Sequence, residues 1–271
     1  MTGALDSFRL DGKTVVLTGA SGVLGRRFGA GYLEAGANLV ALDIAQQTLD
    51  EAAQAFGISS ARILAFACDI TDPADVDRAI ARATDHFGVL DVLHNNAASK
   101  SRDLRAFFAP FEDYSLETWR EVMAVNIDGM FLMAQRVGRE MLKRRQGAVI
   151  QTASIYGLVG PDDAIYEGSD YLGGPINTPA VYAASKAAVI GLTRYLATHW
   201  AKHGIRVNCL VPGGVESGQN LEFSRRYSAR APMGRMARDE EMVPAALYLA
   251  SDASSYVTGQ VLAVDGGWTA W

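Results

Sequence analysis

The sequence predicts an α/β fold, a doubly wound parallel sheet with helices on both faces, and two observations carry that expectation. Short β-branched runs alternate with longer helical stretches from the first residues onward, which is the pattern of strand, helix, strand in a parallel sheet. The runs VVLT, LVALD and IRVNCLV are almost continuously apolar, as strands buried on both faces must be.

Seven strands are expected, over Thr14–Thr18, Asn38–Asp43, 62–69, 89–95, 148–152, 205–211 and 261–265. The first runs straight into a glycine-rich turn and a helix with Leu24, Phe28 and Tyr32 on one face and the small Gly25 and Gly29 on another. After the third strand, Asp72 precedes Pro73 at a first helical position and Asp75 in the first turn, so a helix starts there and runs to about Gly88. Thr178-Pro179 opens the helix that carries Tyr182 and Lys186. Residues 158–180, rich in Gly, Pro and Asp, and residues 214–237, rich in Arg and Ser, are surplus to the alternating plan, and long loops in α/β folds shape sites. With no repeat, charge block or low-complexity linker, residues 1–271 are expected to form one domain.

Composition removes several classes of function. Lys plus Arg number 25 against 30 Asp plus Glu, a net charge of −5, which lacks the basic excess of a nucleic-acid binder. Cys68 and Cys209 lie far apart, and His86, His94, His199 and His203 show no zinc spacing, so neither a disulfide framework nor a metal site is expected. The amino terminus has no apolar leader core, and no stretch approaches the ~18 uninterrupted apolar residues of a membrane span. A cytoplasmic protein without membrane partners is the expectation.

The turn reads Thr18-Gly19-Ala20-Ser21-Gly22-Val23-Leu24-Gly25. Strand, glycine turn and helix in that order let backbone amides approach a pyrophosphate, with the positive end of the helix behind them. Asp43 ends the second strand 18 residues after Gly25, where an acid accepts hydrogen bonds from an adenosine ribose and repels a 2′-phosphate. No Lys or Arg lies within the turn or just after Asp43, so NAD is expected over NADP. Asp69, ending the third strand, is placed to face the adenine.

Tyr182 and Lys186 stand four apart, on one face of a helix. A phenol with a pKa near ~10 becomes a general base at neutral pH only if it gains about 4 kcal/mol of differential stabilisation, and an adjacent cation can supply part of that. Ser154, in TASIYG at the end of the fifth strand, offers a hydroxyl at the carboxyl edge of the sheet, where open α/β proteins bind ligands.

Seven motifs in order now carry a resemblance over essentially the whole chain: TGASGVLG, Asp69 in CDIT, NNAA at Asn95 to Ala98, VNIDGMF, the Ser-Tyr-Lys set, PGG at Pro212 to Gly214, and VDGG at Val264 to Gly267. The sequence resembles the short-chain dehydrogenases/reductases, which implies a single Rossmann-type domain and hydride transfer between a nicotinamide and a hydroxyl or carbonyl carbon. By that resemblance Ser154 holds the substrate oxygen, Tyr182 is the acid/base, Lys186 binds the nicotinamide ribose and lowers the phenol pKa, and Asn126 holds a relay water. It implies cofactor contacts at Gly19, Ser21, Gly22, Val23, Leu24, Gly25, Asp43, Asp69, Ile70, Asn96, Ala97, Ala98, Tyr182, Lys186, Pro212, Gly213 and Val215. Three features depart from the pattern: Val23 stands where the middle glycine is usual, Ala98 where a glycine is commoner, and Ser154 and Tyr182 lie 28 residues apart because of residues 158–180, read as an insertion beside the substrate.

Gln219, Asn220, Arg225, Arg226, Arg230, Arg235 and Arg238 follow an otherwise acidic chain, and guanidinium suits phosphate. The insertion adds Asp162, Asp163, Tyr166, Glu167, Asp170, Tyr171 and Asn177, a polar lining that suits a hydroxylated sugar. The stretches SIYGLVGPDDAIYEG, QNLEFSRRYSARAPMGRM and SYVTGQVLAVDGGWTAW are similar to members linked to bacterial surface-glycan and flagellin-sugar biosynthesis, implying a sugar phosphate or nucleotide sugar. Free polyols and acyl thioesters are the alternative substrates, and a non-catalytic dinucleotide-binding module is the competing class. Trp268 and Trp271 make an aromatic carboxyl end that a monomer would expose, and with the resemblance they imply a homo-oligomer, a dimer or tetramer.

Overall fold

The computed structural model describes residues 3–55, 60–171 and 173–271. The chain runs β1 (Thr14–Thr18), α1 (Val23–Glu34), β2 (Asn38–Asp43), α2 (Gln46–Ala55), β3 (Ile63–Ala67), α3 (Pro73–Phe87), β4 (Val92–Asn95), the short α4 (Leu104–Phe107), α5 (Leu116–Met123), α6 (Met130–Arg144) and β5 (Gly147–Thr152). A small hairpin, β6 (Asp170–Tyr171) and β7 (Gly174–Pro175), precedes α7 (Ala180–Trp200), β8 (Ile205–Pro212), α8 (Leu221–Arg230), α9 (Val243–Ala250) and β9 (Val261–Val264). The main sheet has the order β3-β2-β1-β4-β5-β8-β9, all parallel. The seven expected strands are these seven.

The order turns back between β1 and β4, which sends successive crossovers to opposite faces of the sheet. Alternate residues of one strand therefore serve two cores. Val15 and Leu17 pack with Phe28, Tyr32 and Leu249 from α1 and α9, while Val16 packs with Ile80, Val137 and Trp200 from α3, α6 and α7. Each fully buried aliphatic side chain contributes about 1.5–3 kcal/mol relative to exposure, which is why the strands read as continuous apolar runs.

Where boundaries shift, local chemistry accounts for it. α3 begins as expected, with the Asp72 carboxylate accepting from Ala74 N at 3.0 Å, and ends at Gly88 with φ +76°. That left-handed residue turns the chain, so β4 begins only at Val92. Asp265 leaves β9 because its carboxylate accepts from the amides of Gly267 and Thr269. Pro179 sits at the N-cap of α7 and Ala180 begins the helix. Trp268 overturns one expectation: it is 2% exposed and stacks on Tyr227 with ring centroids 4.2 Å apart, inside its own chain. Only Trp271 of that pair is exposed, at 77%.

Candidate active site

The turn between β1 and α1 lies at the carboxyl end of the sheet, where the strand order reverses. Gly19 has φ +66°, and a Cβ there would lie 2.8 Å from Ala97 Cα; a Cβ on Gly25 would lie 1.9 Å from the Gly19 carbonyl oxygen. These two positions require glycine, one for its backbone angle and one for close packing of helix on turn. Gly22 is under no such steric demand, which accounts for a side chain being tolerated next to it at the exposed Val23.

A cleft of about 720 Å³ opens beside this turn. Gly19, Ser21, Gly22, Val23, Leu24, Gly25, Asp43, Asp69, Ile70, Asn96, Ala97 and Ala98 all line it, so these expected cofactor contacts are brought together. The Asp43 carboxylate accepts from Ser21 N at 2.9 Å and Ser21 Oγ at 2.7 Å, which holds it over the turn. Asp69 accepts from Thr71 N and Oγ1. Asn96 and Ala97 donate their amides to Thr18 Oγ1, tying the loop after β4 to the end of β1. The first-turn amides of α1 have no intrahelical acceptor and face this space, so the residues present fit a pyrophosphate, with a carboxylate for a ribose beyond it. Pro212, Gly213 and Val215 do not line this cleft. Gly213 donates to Val264 O at 3.0 Å and borders a separate small cavity with Tyr227 and Asp265, while Val215 bridges to Ala237.

The four expected catalytic residues converge from three elements. Ser154 lies just beyond β5 and caps the 3-10 turn Ile155–Gly157, accepting from Tyr156 N at 3.3 Å. Lys186, 2% exposed, donates from Nζ to Thr152 O at 3.0 Å, and the same Nζ sits 5.7 Å from the Tyr182 ring centroid. Burial pushes the ammonium down to about 8. Burial also pushes the Tyr182 phenol up, with the Ser154 hydroxyl pulling the other way. Desolvation is the largest influence on the phenol, so the expected lowering is outweighed here. Asn126 is fully buried in a π-helical stretch, 124–129, between α5 and α6; such widened turns recur at functional sites. Its Oδ1 accepts from Ser99 N at 2.8 Å and its Nδ2 donates to Ser185 Oγ at 3.2 Å, so its side chain ties the cofactor loop to α7.

The arginines of residues 214–237 and just beyond are engaged with carboxylates. Arg225 pairs with Glu222, Arg226 with Glu222 and Glu167, Arg230 with Asp162, Arg235 with Glu241, and Arg238 with Glu240 and Glu241. Glu167 and Asp162 belong to the insertion, so two of these pairs lash it to α8. Arg105 holds its other side, donating to Tyr171 O at 2.6 Å and Pro175 O at 3.1 Å across the β6–β7 hairpin. Leu172, at the hairpin turn, lies outside the described residues.

Sequence reasoning missed several polar groups near this site. Tyr156 and Thr178 flank the catalytic residues in the chain, and that adjacency was their available signal. His94 is fully buried in β4, between the Tyr32 hydroxyl and Thr152 Oγ1, each 2.8 Å from a ring nitrogen. A histidine directly after the apolar pair Val92-Leu93, within a buried strand, was its signal.

A doubly wound sheet with this cleft at its switch point defines a Rossmann-type dinucleotide-binding protein. The family model described as Enoyl-(Acyl carrier protein) reductase matches residues 19–269, and the chain belongs to the short-chain dehydrogenase/reductase family, oxidoreductases that act on CH–OH groups with a nicotinamide cofactor. It is 38% identical to galactitol 2-dehydrogenase (L-tagatose-forming) from Cereibacter sphaeroides, over 97% of this chain and 98% of that one. A gluconate 5-dehydrogenase from Burkholderia cenocepacia J2315, crystallised with NADP and tartrate, superposes with a TM-score of 0.84 at 34% identity, covering 99% of this chain and 100% of the other. A short-chain dehydrogenase from Leptospira borgpetersenii with bound NAD+ also gives 0.84 at 34% identity, covering 99% and 96%. Among the described residues no helix is long and apolar enough to cross a membrane, and no metal-binding cluster is present.

Proposed function

We propose that the protein is a dehydrogenase of free polyols or other open-chain, sugar-derived alcohols, with NAD preferred over NADP. The single observation that carries the chemistry is the convergence of Ser154, Tyr182 and buried Lys186 at the carboxyl edge of the sheet, beside the cofactor-shaped cleft. Ser154 holds the substrate oxygen in line with Tyr182, and the phenolate takes the hydroxyl proton. Lys186 holds positive charge against the phenol and is itself fixed by the Thr152 carbonyl. A bound oxidised nicotinamide, held by the residues that line the cleft, would supply the hydride acceptor and a positive charge that favours the phenolate. Asn126 would hold a relay water through the hydrogen-bonding capacity that its bonds to Ser99 and Ser185 leave over.

Two observations support an unphosphorylated substrate over a sugar phosphate or nucleotide sugar. The arginines that would grip a phosphate are paired with carboxylates, and the relatives described above are named for galactitol and gluconate; neither supports a place in surface-glycan synthesis. NAD is favoured by Asp43, a carboxylate held over the turn where a 2′-phosphate would lie, although the cofactors named in the two structural neighbours differ. The test is NADH formation from NAD across alditols, aldonates, sugar phosphates, nucleotide sugars and hydroxyacyl thioesters, with Tyr182→Phe beside the native protein. Alditol turnover that falls at least about 100-fold in the variant, with NAD affinity retained, is expected. Turnover confined to phosphorylated sugars or thioesters, or full activity in Tyr182→Phe, would refute the reading.

A further inference from the structure

The insertion brings two hydroxyls, those of Tyr166 and Thr178, to the hydroxyl of Tyr156 beside Ser154. Tyr156 stands two residues beyond Ser154, and Thr178 four residues before Tyr182. Tyr166, from the insertion, places its hydroxyl 2.5 Å from Thr178 Oγ1 and 3.5 Å from the Tyr156 hydroxyl. All three residues are half-buried, and the 3-10 turn that carries Tyr156 packs directly on α7, where a Cβ on Gly157 would lie 2.7 Å from the Lys186 backbone, one helical turn from Tyr182. The position of Tyr166 is imposed by its surroundings. Its ring packs on Phe223 of α8 at 5.4 Å between centroids, and the ion pairs Asp162–Arg230 and Glu167–Arg226 pin the chain on either side of it.

The hydrogen bonding of this group is incomplete. Three hydroxyls carry three hydrogens, and the two contacts among them use two, so one donor and several lone pairs stay unspent. Two further buried atoms have no partner among the described residues: Asn177 Oδ1, adjacent in sequence to Thr178, and the Tyr114 hydroxyl, whose residue shares an apolar cluster with Tyr182. A group that must both donate and accept to be satisfied, set beside the oxygen that Ser154 and Tyr182 hold, matches a neutral hydroxyl.

We infer that Tyr166, with Thr178 and Tyr156, forms a subsite that reads the hydroxyl on the carbon next to the one oxidised, so the enzyme selects vicinal diols over isolated secondary alcohols. The inference rests on the polyol reading above. A hydrogen-bonding site discriminates strongly because a substrate lacking the hydroxyl leaves buried polar groups unpaired.

The experiment compares kcat/KM for galactitol, threitol, meso-2,3-butanediol and 2-butanol in the native protein, Tyr166→Phe, Thr178→Val and Tyr182→Phe, with NAD affinity followed by fluorescence. Tyr166→Phe keeps the ring on Phe223. It is expected to lower kcat/KM for the diol and alditols about tenfold, mainly through KM, while 2-butanol turnover and NAD affinity stay within about twofold. Thr178→Val is expected to act in the same direction. Equal losses on diol and 2-butanol would assign Tyr166 a merely structural role and overturn the subsite, as would an unchanged diol preference. Absence of Tyr182-dependent turnover on every alditol and diol would instead overturn the polyol reading, and the subsite with it.

Discussion

Mild acid should destabilise this protein through a single buried imidazole. His94 is 0% exposed, and burial pushes its pKa from 6.5 down to about 3. The folded chain therefore keeps the ring neutral, while the unfolded chain takes up a proton below about pH 6.5. Because the unfolded state binds more protons across that window, the contribution is whole above pH 6.5 and is lost as the pH falls toward 3. One proton of difference amounts to about 1.4 kcal/mol per pH unit, so between pH 7.5 and pH 5.5 the expected loss is about 1.4 kcal/mol. Urea unfolding of the native protein and of His94→Asn at pH 7.5, 6.5 and 5.5 measures it. Carboxylates titrate in both proteins and cancel, and the fixed cost of losing the bonds to Tyr32 and Thr152 shifts the variant equally at each pH. Native minus variant stability should shrink by about 1.4 kcal/mol over that range; two parallel lines would refute the assignment of a neutral, unprotonatable His94.

Four other substitutions probe the cofactor end and the carboxyl terminus. Asp43→Ala should weaken NAD about tenfold and leave NADP unchanged or tighter, and equal losses in a fluorescence titration would remove Asp43 from the ribose. Gly25→Ala puts a Cβ 1.9 Å from the Gly19 carbonyl oxygen, so the turn must open; cofactor affinity should drop more than about tenfold, and an unchanged Kd would show the close packing to be dispensable. Trp268→Ala should cost about 3–5 kcal/mol in urea unfolding, whereas Trp271→Ala should stay within about 0.5 kcal/mol, because only the first is packed inside the chain. Similar costs for the two would contradict that placement.

Much of the scaffold was legible because the constraints on it are local or periodic. β1 and β2 begin and end at the residues expected, one position either side of their apolar runs, since a strand covered on both faces has no exposed interior positions to blur the pattern. The glycine turn and Asp43 were legible for a backbone reason, the left-handed Gly19 and the crowded Gly25, which restrict the residue type wherever the turn occurs. The β6–β7 hairpin was not foreseen. It pairs four residues only, and Arg105, 66 residues before Tyr171, holds it through backbone carbonyls that carry no sequence signature.

The sequence by itself determined the layer order, the position of the cofactor cleft and the spacing that puts Tyr182 and Lys186 on one helix face, because each follows from periodicity or from a residue type that the backbone demands. Only the tertiary structure decided how charges and hydroxyls are spent. It joined the arginines to acids up to 68 residues away, turned Trp268 inward, set His94 between two hydroxyls from other elements, and brought Tyr166 to Thr178 beside the catalytic pair. Partner choice among polar side chains is a matter of distance in space, and residues far apart in the chain acquire that distance only when the helices and loops pack.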